Sequence, residues 1–112
     1  MSASHHGLDN LVAIVDRNRI QNDRWTHEVM SLEPFADKWK SFGWHSMEVD
    51  GHSVEELLSE FHTAEQTKGR PSVIIANTLK GKGVSFMENN VDFHGKAPSP
   101  EELSKALEEL GE

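Results

Sequence analysis

Residues 53–79, SVEELLSEFHTAEQTKGRPSVIIANTL, read as a helix that leads into a buried strand. Ser53-Val-Glu-Glu56 has the Ser-x-x-Glu form of a capping box, in which a hydroxyl and a carboxylate satisfy orphan amides at a helix start. Val54, Leu57, Leu58 and Phe61 then recur at one-face spacing, which predicts a helix over 53–68. Gly69 and Pro71 set its end, and the apolar centre of Ser72–Leu79 predicts a strand over 72–79. Upstream, Trp44–Val49 reads as another strand, closed by the turn dipeptide Asp50-Gly51. A helix between two buried strands is a parallel crossover unit.

The same reading extends to both ends. Pro34 suits a first helical turn, and Phe35, Trp39 and Phe42 follow at i, i+4 and i+7 before Gly43, predicting a helix over 34–42. Leu11–Val15 is continuously apolar and closed by Asp16, Arg17 and Asn18, which predicts a strand over 11–16 covered on both faces. Lys80-Gly-Lys-Gly83 lies just past the last strand, and Val84–Pro98 has neither helical nor strand period, so it reads as a long loop. Ser99-Pro-Glu-Glu102 caps a final helix over 99–110, with Leu103, Ala106, Leu107 and Leu110 on one face and Gly111 at its end. The expected fold is α/β, a mainly parallel sheet of at least three strands flanked by helices.

The chain has 112 residues, 36% hydrophobic and 27% charged, with a formal net charge of −8. Such a length suits one domain with a modest core, so a cofactor site should be open or shared. No apolar run approaches the roughly 20 residues of a membrane helix. Cysteine is absent and the N-terminus lacks a secretory pattern, which makes the cytoplasm the expected location. An acidic balance without a Lys/Arg cluster argues against nucleic acid, whose binding depends on cationic groups releasing counterions.

The seven histidines include no i, i+4 pair backed by a carboxylate, so a histidine zinc site is not expected. No Gly-x-Ser-x-Gly elbow or thiol is present for covalent hydrolase chemistry. Gly81-Lys82-Gly83 reads either as a flexible basic turn or as a place where amides approach a phosphate, though the P-loop spacing is missing. Asn18, past a parallel strand, reads either as a turn former or as an amide oxygen for a hard cation, with Asp16 and Asp23 close in sequence.

Three stretches carry a resemblance to a known family: SASHHGLDNLVAIVDRNRIQND, LEPFADKWKSFGWHSMEVDGHS and PSVIIANTLKGKGVSFMENNVDFHGKAPSPEELSKAL. Together they resemble the diphosphate-binding domain of transketolases, above all the N-terminal subunit of split transketolases, over nearly the whole chain. The resemblance implies transfer of a two-carbon ketol unit from a ketose phosphate to an aldose phosphate, with thiamine diphosphate and magnesium, in the pentose phosphate pathway. Asn18 matches the asparagine whose side chain binds the cation, and Ile20 the position supplying a backbone carbonyl. His94, in Phe-His-Gly-Lys-Ala-Pro, is similar to the family histidine near the diphosphate and the substrate, a catalytic and cofactor-binding role.

The departures from the family are as informative. The Gly-Asp-Gly start of the cofactor motif is missing, as are the upstream histidines and the pyrimidine-binding domain with its glutamate. Arg24 stands where many members have glycine, which puts that turn in question. The expectation is therefore one partial domain over 1–112, inactive alone, that needs a pyrimidine-binding subunit or domain and self-associates through an uncovered apolar sheet face or edge. Because the family pattern runs up to Met1, truncation is favoured over a natural start; a fragment, a truncated gene and a stand-alone descendant all stay open. The competing readings are a noncatalytic interaction or oligomerisation domain that keeps the fold, and a piece of another thiamine diphosphate enzyme. Deoxyxylulose-phosphate synthase is the nearest such enzyme, since it shares a Lys-Gly-Lys-Gly segment, although the His-Gly-Lys-Ala-Pro ending fits transketolase better.

Overall fold

The computed structural model describes residues 1–111. In chain order the elements are α1 (Ser2–His5), β1 (Val12–Arg17), β2 (Ile20–Gln21), β3 (Arg24–Trp25), α2 (Thr26–Val29), α3 (Phe35–Ser41), β4 (His45–Asp50), α4 (Val54–Gln66), β5 (Ser72–Asn77), a 3-10 turn (Val91–Phe93) and α5 (Pro100–Leu110). They fall into two compact units, one holding Met1–Arg17 and Leu32–Thr78, the other Asn18–Ser31 and the chain from Leu79 onward.

The first unit is the expected α/β sheet. β5 lies at its centre, parallel to β1 on one side and to β4 on the other, with Val12 and His45 both in register with Ser72 and Arg17 and Asp50 both with Asn77. A central parallel strand has side chains covered on both faces, and Val73, Ile74 and Ile75 are fully buried. On one face Ile74 and Ala76 pack with Met47, Val49 and Ala64, and Leu57 of α4 closes over them. On the other, Val73 and Ile75 pack with Trp44, Ala13, Val15, Phe35 and Trp39. The Trp39 and Trp44 rings there meet edge to face at 4.9 Å between centroids, a favourable arrangement of their quadrupoles.

β1 departs from expectation. It is an edge strand, exposed and partly buried by turns, not one covered on both faces. Ala13 and Val15 face the aromatic cluster, while Val12 and Ile14 are 36% and 56% exposed. The cause is the connectivity: α4 joins β4 to β5 and packs on those two strands.

The helix starts also refine the reading. Ser53 Oγ accepts the Glu56 N–H at 3.2 Å, but the Glu56 carboxylate takes the Asp50 N–H at 2.9 Å, so half of the expected box is used to anchor β4. α4 stops at Gln66, short of residue 68. α3 runs from Phe35 to Ser41 after a cis Glu33–Pro34 bond and stops ahead of Gly43, whose φ of +82° is left-handed. A Cβ at Gly43 would also crowd Ser4 Oγ, so a larger residue there would need that hydroxyl to turn away as well as the left-handed backbone.

Among the described residues no helix is long and apolar enough to cross a membrane. The burial contrast within the sheet is measurable. Ile74→Ala should cost about 3 kcal/mol of unfolding free energy, whereas Ile14→Ala, on the open side of the same paired position, should cost less than about 1 kcal/mol. Urea denaturation of the two variants checks this, and equal losses would show that β1 is covered on both faces after all.

Candidate functional site

The second unit contains the three residues singled out in the sequence. Asn18 follows β1 directly and its Oδ1 accepts the Ile20 N–H at 2.9 Å, an Asx-type turn. Between them Arg19 adopts φ +64°, a left-handed conformation unusual for a side chain of that kind and found where a turn is over-determined by its surroundings. Arg19 then supplies its carbonyl to the Thr26 N–H at 2.8 Å, which closes a loop across the antiparallel pair β2 and β3. The hairpin bend itself is made by Asn22, at φ +56°. Arg24 sits in β3 outside the left-handed residues, so the turn accommodates a side chain at that position.

This turn can hold part of a hard-cation site. An amide oxygen has two lone pairs, so Asn18 Oδ1 retains one after accepting from Ile20, and the Ile20 carbonyl adds a second neutral oxygen close by in sequence. Magnesium takes such oxygens readily but demands about six in all, and the others commonly come from water and phosphate. Among the described residues there is no group of three His, Asp or Glu side chains that could hold a metal, so a cation here has no carboxylate cage. Asn18 and Ile20 therefore fit magnesium as a partial set, not as a complete one.

His94 lies in the other chain segment of the unit. The expected long loop is organised by short-range bonds. A 3-10 turn at Val91–Phe93 is capped by Asn90 Oδ1, which accepts the Asp92 N–H at 3.0 Å. His94 terminates it, its N–H bonded to the Val91 carbonyl at 3.0 Å and its side chain exposed. Lys80 Nζ reaches the Phe93 carbonyl at 3.5 Å, and the Phe86 and Phe93 rings lie 5.7 Å apart. Phe93 also carries Lys96 Nζ 5.0 Å from its centroid.

Gly81 and Gly83 are both left-handed, and a Cβ on Gly81 would come within 2.5 Å of the Met87 carbonyl oxygen. The Gly83 N–H is taken by the Glu88 carboxylate at 3.1 Å. Gly81 thus serves close packing of the loop on itself, and the Gly83 amide is already occupied by an anion of the chain.

α5 pins the start of this loop. Its expected capping box is complete, Ser99 Oγ accepting from the Glu102 N–H and the Ser99 N–H donating to Glu102. At its other end Glu109 accepts from both the backbone N–H and the Oγ of Ser85. The Ser85 backbone bond, then its hydroxyl, hold the Glu109 carboxyl below the ordinary carboxylate range. A carboxyl with a depressed folded-state pKa adds stability above its unfolded pKa, and that contribution is lost as pH falls through the lower folded value. The Ser85 amide proton resonance should therefore titrate with a midpoint below the roughly 4.3 of a free glutamate, and Glu109→Gln should abolish that titration. A midpoint at or above the free value would show that the contact does not persist in solution.

Sequence reading missed the hairpin and the two-carboxylate environment of Arg17. Asn22-Asp23, a turn-forming pair, was the available signal for the hairpin. The Arg17 contacts join residues far apart in sequence and leave no local pattern.

Known proteins resemble the chain in sequence and in fold. The family described as "Transketolase, thiamine diphosphate binding domain" matches residues 1–112. The chain is 42% identical over 112 residues to an apulose-4-phosphate transketolase subunit of Phocaeicola vulgatus, covering 100% of this chain and 40% of that protein. It is 42% identical over 110 residues to 6-deoxy-6-sulfo-D-fructose transketolase subunit SqwG of a Clostridium species, covering 98% of this chain and 40% of that one. The crystal structure of transketolase from Campylobacter jejuni superposes with a TM-score of 0.87 at 29% identity, over 98% of this chain and 17% of that one. The chain thus spans well under two thirds of these relatives, and it belongs to the transketolase thiamine diphosphate binding domain family.

Proposed function

We propose that the chain forms part of a transketolase that moves a two-carbon ketol unit from a ketose phosphate to an aldose phosphate, using thiamine diphosphate and magnesium. The observation that carries this reading is the family match over all 112 residues, joined to a turn that presents the Asn18 amide oxygen beside Ile20. Asn18 Oδ1 and the Ile20 carbonyl would hold the cation, and the cation would neutralise charge on the diphosphate. The exposed His94 imidazole donates a hydrogen bond to diphosphate or substrate oxygens, a charge-assisted contact with a directional donor. Thiamine diphosphate, when bound, supplies the electron sink that lets a carbon–carbon bond break and re-form.

The chain is one partial domain, and the rest of the site comes from elsewhere. Both curated relatives are named as subunits, and this chain matches 40% of each, which supports a complementary pyrimidine-binding subunit or domain as its partner. The open side of β1 at Val12 and Ile14 supports self-association when that partner is absent. With two neutral oxygens and no carboxylate cage among the described residues, the isolated chain binds the cofactor weakly at best and has no ketol transfer. A cytoplasmic location and sugar phosphate substrates belong to the same reading.

Calorimetric titration with thiamine diphosphate and magnesium, beside a coupled ketol-transfer assay, tests it. The chain alone should show no turnover and no binding at micromolar concentration; addition of the missing segments in trans should restore both. Asn18→Ala should then weaken magnesium-dependent binding by on the order of 10–100-fold, while Asn18→Asp, which keeps the acceptor for Ile20, should retain it. His94→Ala should remove most of the restored turnover. Turnover by the chain alone, or an Asn18→Ala variant that binds normally, would refute the assignment.

A further inference from the structure

The Asn18–Ser31 segment leaves the sheet unit at Arg17, and the chain returns to that unit at Leu32. The residues flanking these two points meet. Arg17 Nη2 donates to a carboxylate oxygen of Glu33, whose second oxygen accepts the Phe35 N–H at 3.2 Å at the start of α3. Arg17 Nη1 lies 3.5 Å from Asn77 Oδ1 and 3.7 Å from Glu48 Oε2, and the guanidinium carbon stands 5.6 Å from the centre of the Phe35 ring. The Arg17 side chain is only 15% exposed, while that of Glu33 is 61% exposed.

An exposed ion pair contributes little because water and salt screen it and both side chains lose freedom. Here the guanidinium is already immobilised by β4, β5 and an aromatic face, so gripping Glu33 costs it little further entropy. The planar fork of arginine presents five donors in fixed directions, against three rotatable ones on an ammonium. Joining the two ends of a flexible segment removes the conformations in which they separate. The segment so closed is the one that carries the Asn18–Ile20 turn and the left-handed Arg19.

We propose that Arg17 is a positioning residue for the Asn18–Ile20 turn: its grip on Glu33 closes the base of the 18–31 segment and keeps the turn in its bonded form. The value of this to a cation rests on the reading of Asn18 and Ile20 given above, but the closure itself does not. An arginine that served only the sheet would act instead on the stability of β1 and β5.

Amide hydrogen exchange followed by NMR separates the two roles. In the intact chain, Glu33→Gln and Arg17→Met should each accelerate exchange of the Ile20 and Thr26 amides by roughly tenfold, as expected for loss of one charge-assisted bond in a local opening. The double variant should add nothing further, Arg17→Lys should fall between, and the Ile74 and Ile75 amides should be unchanged. If Arg17→Met does not fold, the exposed Glu33→Gln decides the matter alone. Unchanged Ile20 and Thr26 exchange in Glu33→Gln, or equal acceleration at Ile74, would overturn the proposal. A separate arm adds magnesium chloride and thiamine diphosphate to the chain joined with its complementary subunit. Absence of added protection at Ile20, with the Glu33→Gln acceleration intact, would sink the cation reading and leave the closure standing.

Discussion

The sheet unit depends on the pairing of β5 with a parallel neighbour on each side. A strand in that position has no solvent-facing edge or face, so its backbone groups are satisfied only by β1 and β4 and its side chains only by packing. The run Val73-Ile74-Ile75 meets this demand with β-branched residues whose side chains carry no polar atom. Both clusters of the core are then built on alternate residues of the same strand, Ile74 and Ala76 to one side, Val73 and Ile75 to the other. The polar residues at the carboxyl ends, Asp50, Asn77 and Arg17, are brought level by that register. Without β5 none of them would have a fixed relation to another.

The parts of the molecule legible in the sequence are those whose cause is local. The periodicity of Val54, Leu57, Leu58 and Phe61 and the two Ser-x-x-Glu starts placed α4 and α5 within two residues, since helix phase and capping act over a single turn. The strand positions and their parallel arrangement were equally plain, from apolar runs separated by a crossover helix. The burial of β1 was not, because Leu11–Val15 has the same composition whether the strand is central or at an edge. That choice is made by β5, whose partner residues lie 60 positions away.

The small hairpin escaped for a different reason. Strands of two residues have no period to detect, and RNRIQND offers one apolar residue, Ile20, among polar ones. Its conformation is set by two left-handed residues, Arg19 and Asn22, of which only asparagine advertises that tendency. The candidate site residues Ile20 and His94 were found through resemblance to a family; the chemistry of Asn18 taken alone left it open as a turn former or as an oxygen for a hard cation. The structure adds to that the bond between Asn18 and Ile20, a specific geometric reason for an asparagine at this position.

The sheet order also bears on the sequence in which the fold is gained and lost. Asn77 and Val49, on neighbouring strands, are 28 residues apart, whereas Asn77 and Arg17 are 60 apart, so pairing β5 first with β1 would close about twice the loop that pairing it with β4 closes, at about 0.6 kcal/mol more in closure entropy. In return β1 gains the burial of one face only. Closure entropy thus favours the crossover β4–α4–β5 as the first pairing, with β1, buried on one face, joining it afterwards. Asn18 is the residue immediately after that strand. A polypeptide that covers Ile14 would therefore lengthen the residence of β1 in the sheet, and with it the anchorage of the residue that Asn18 follows.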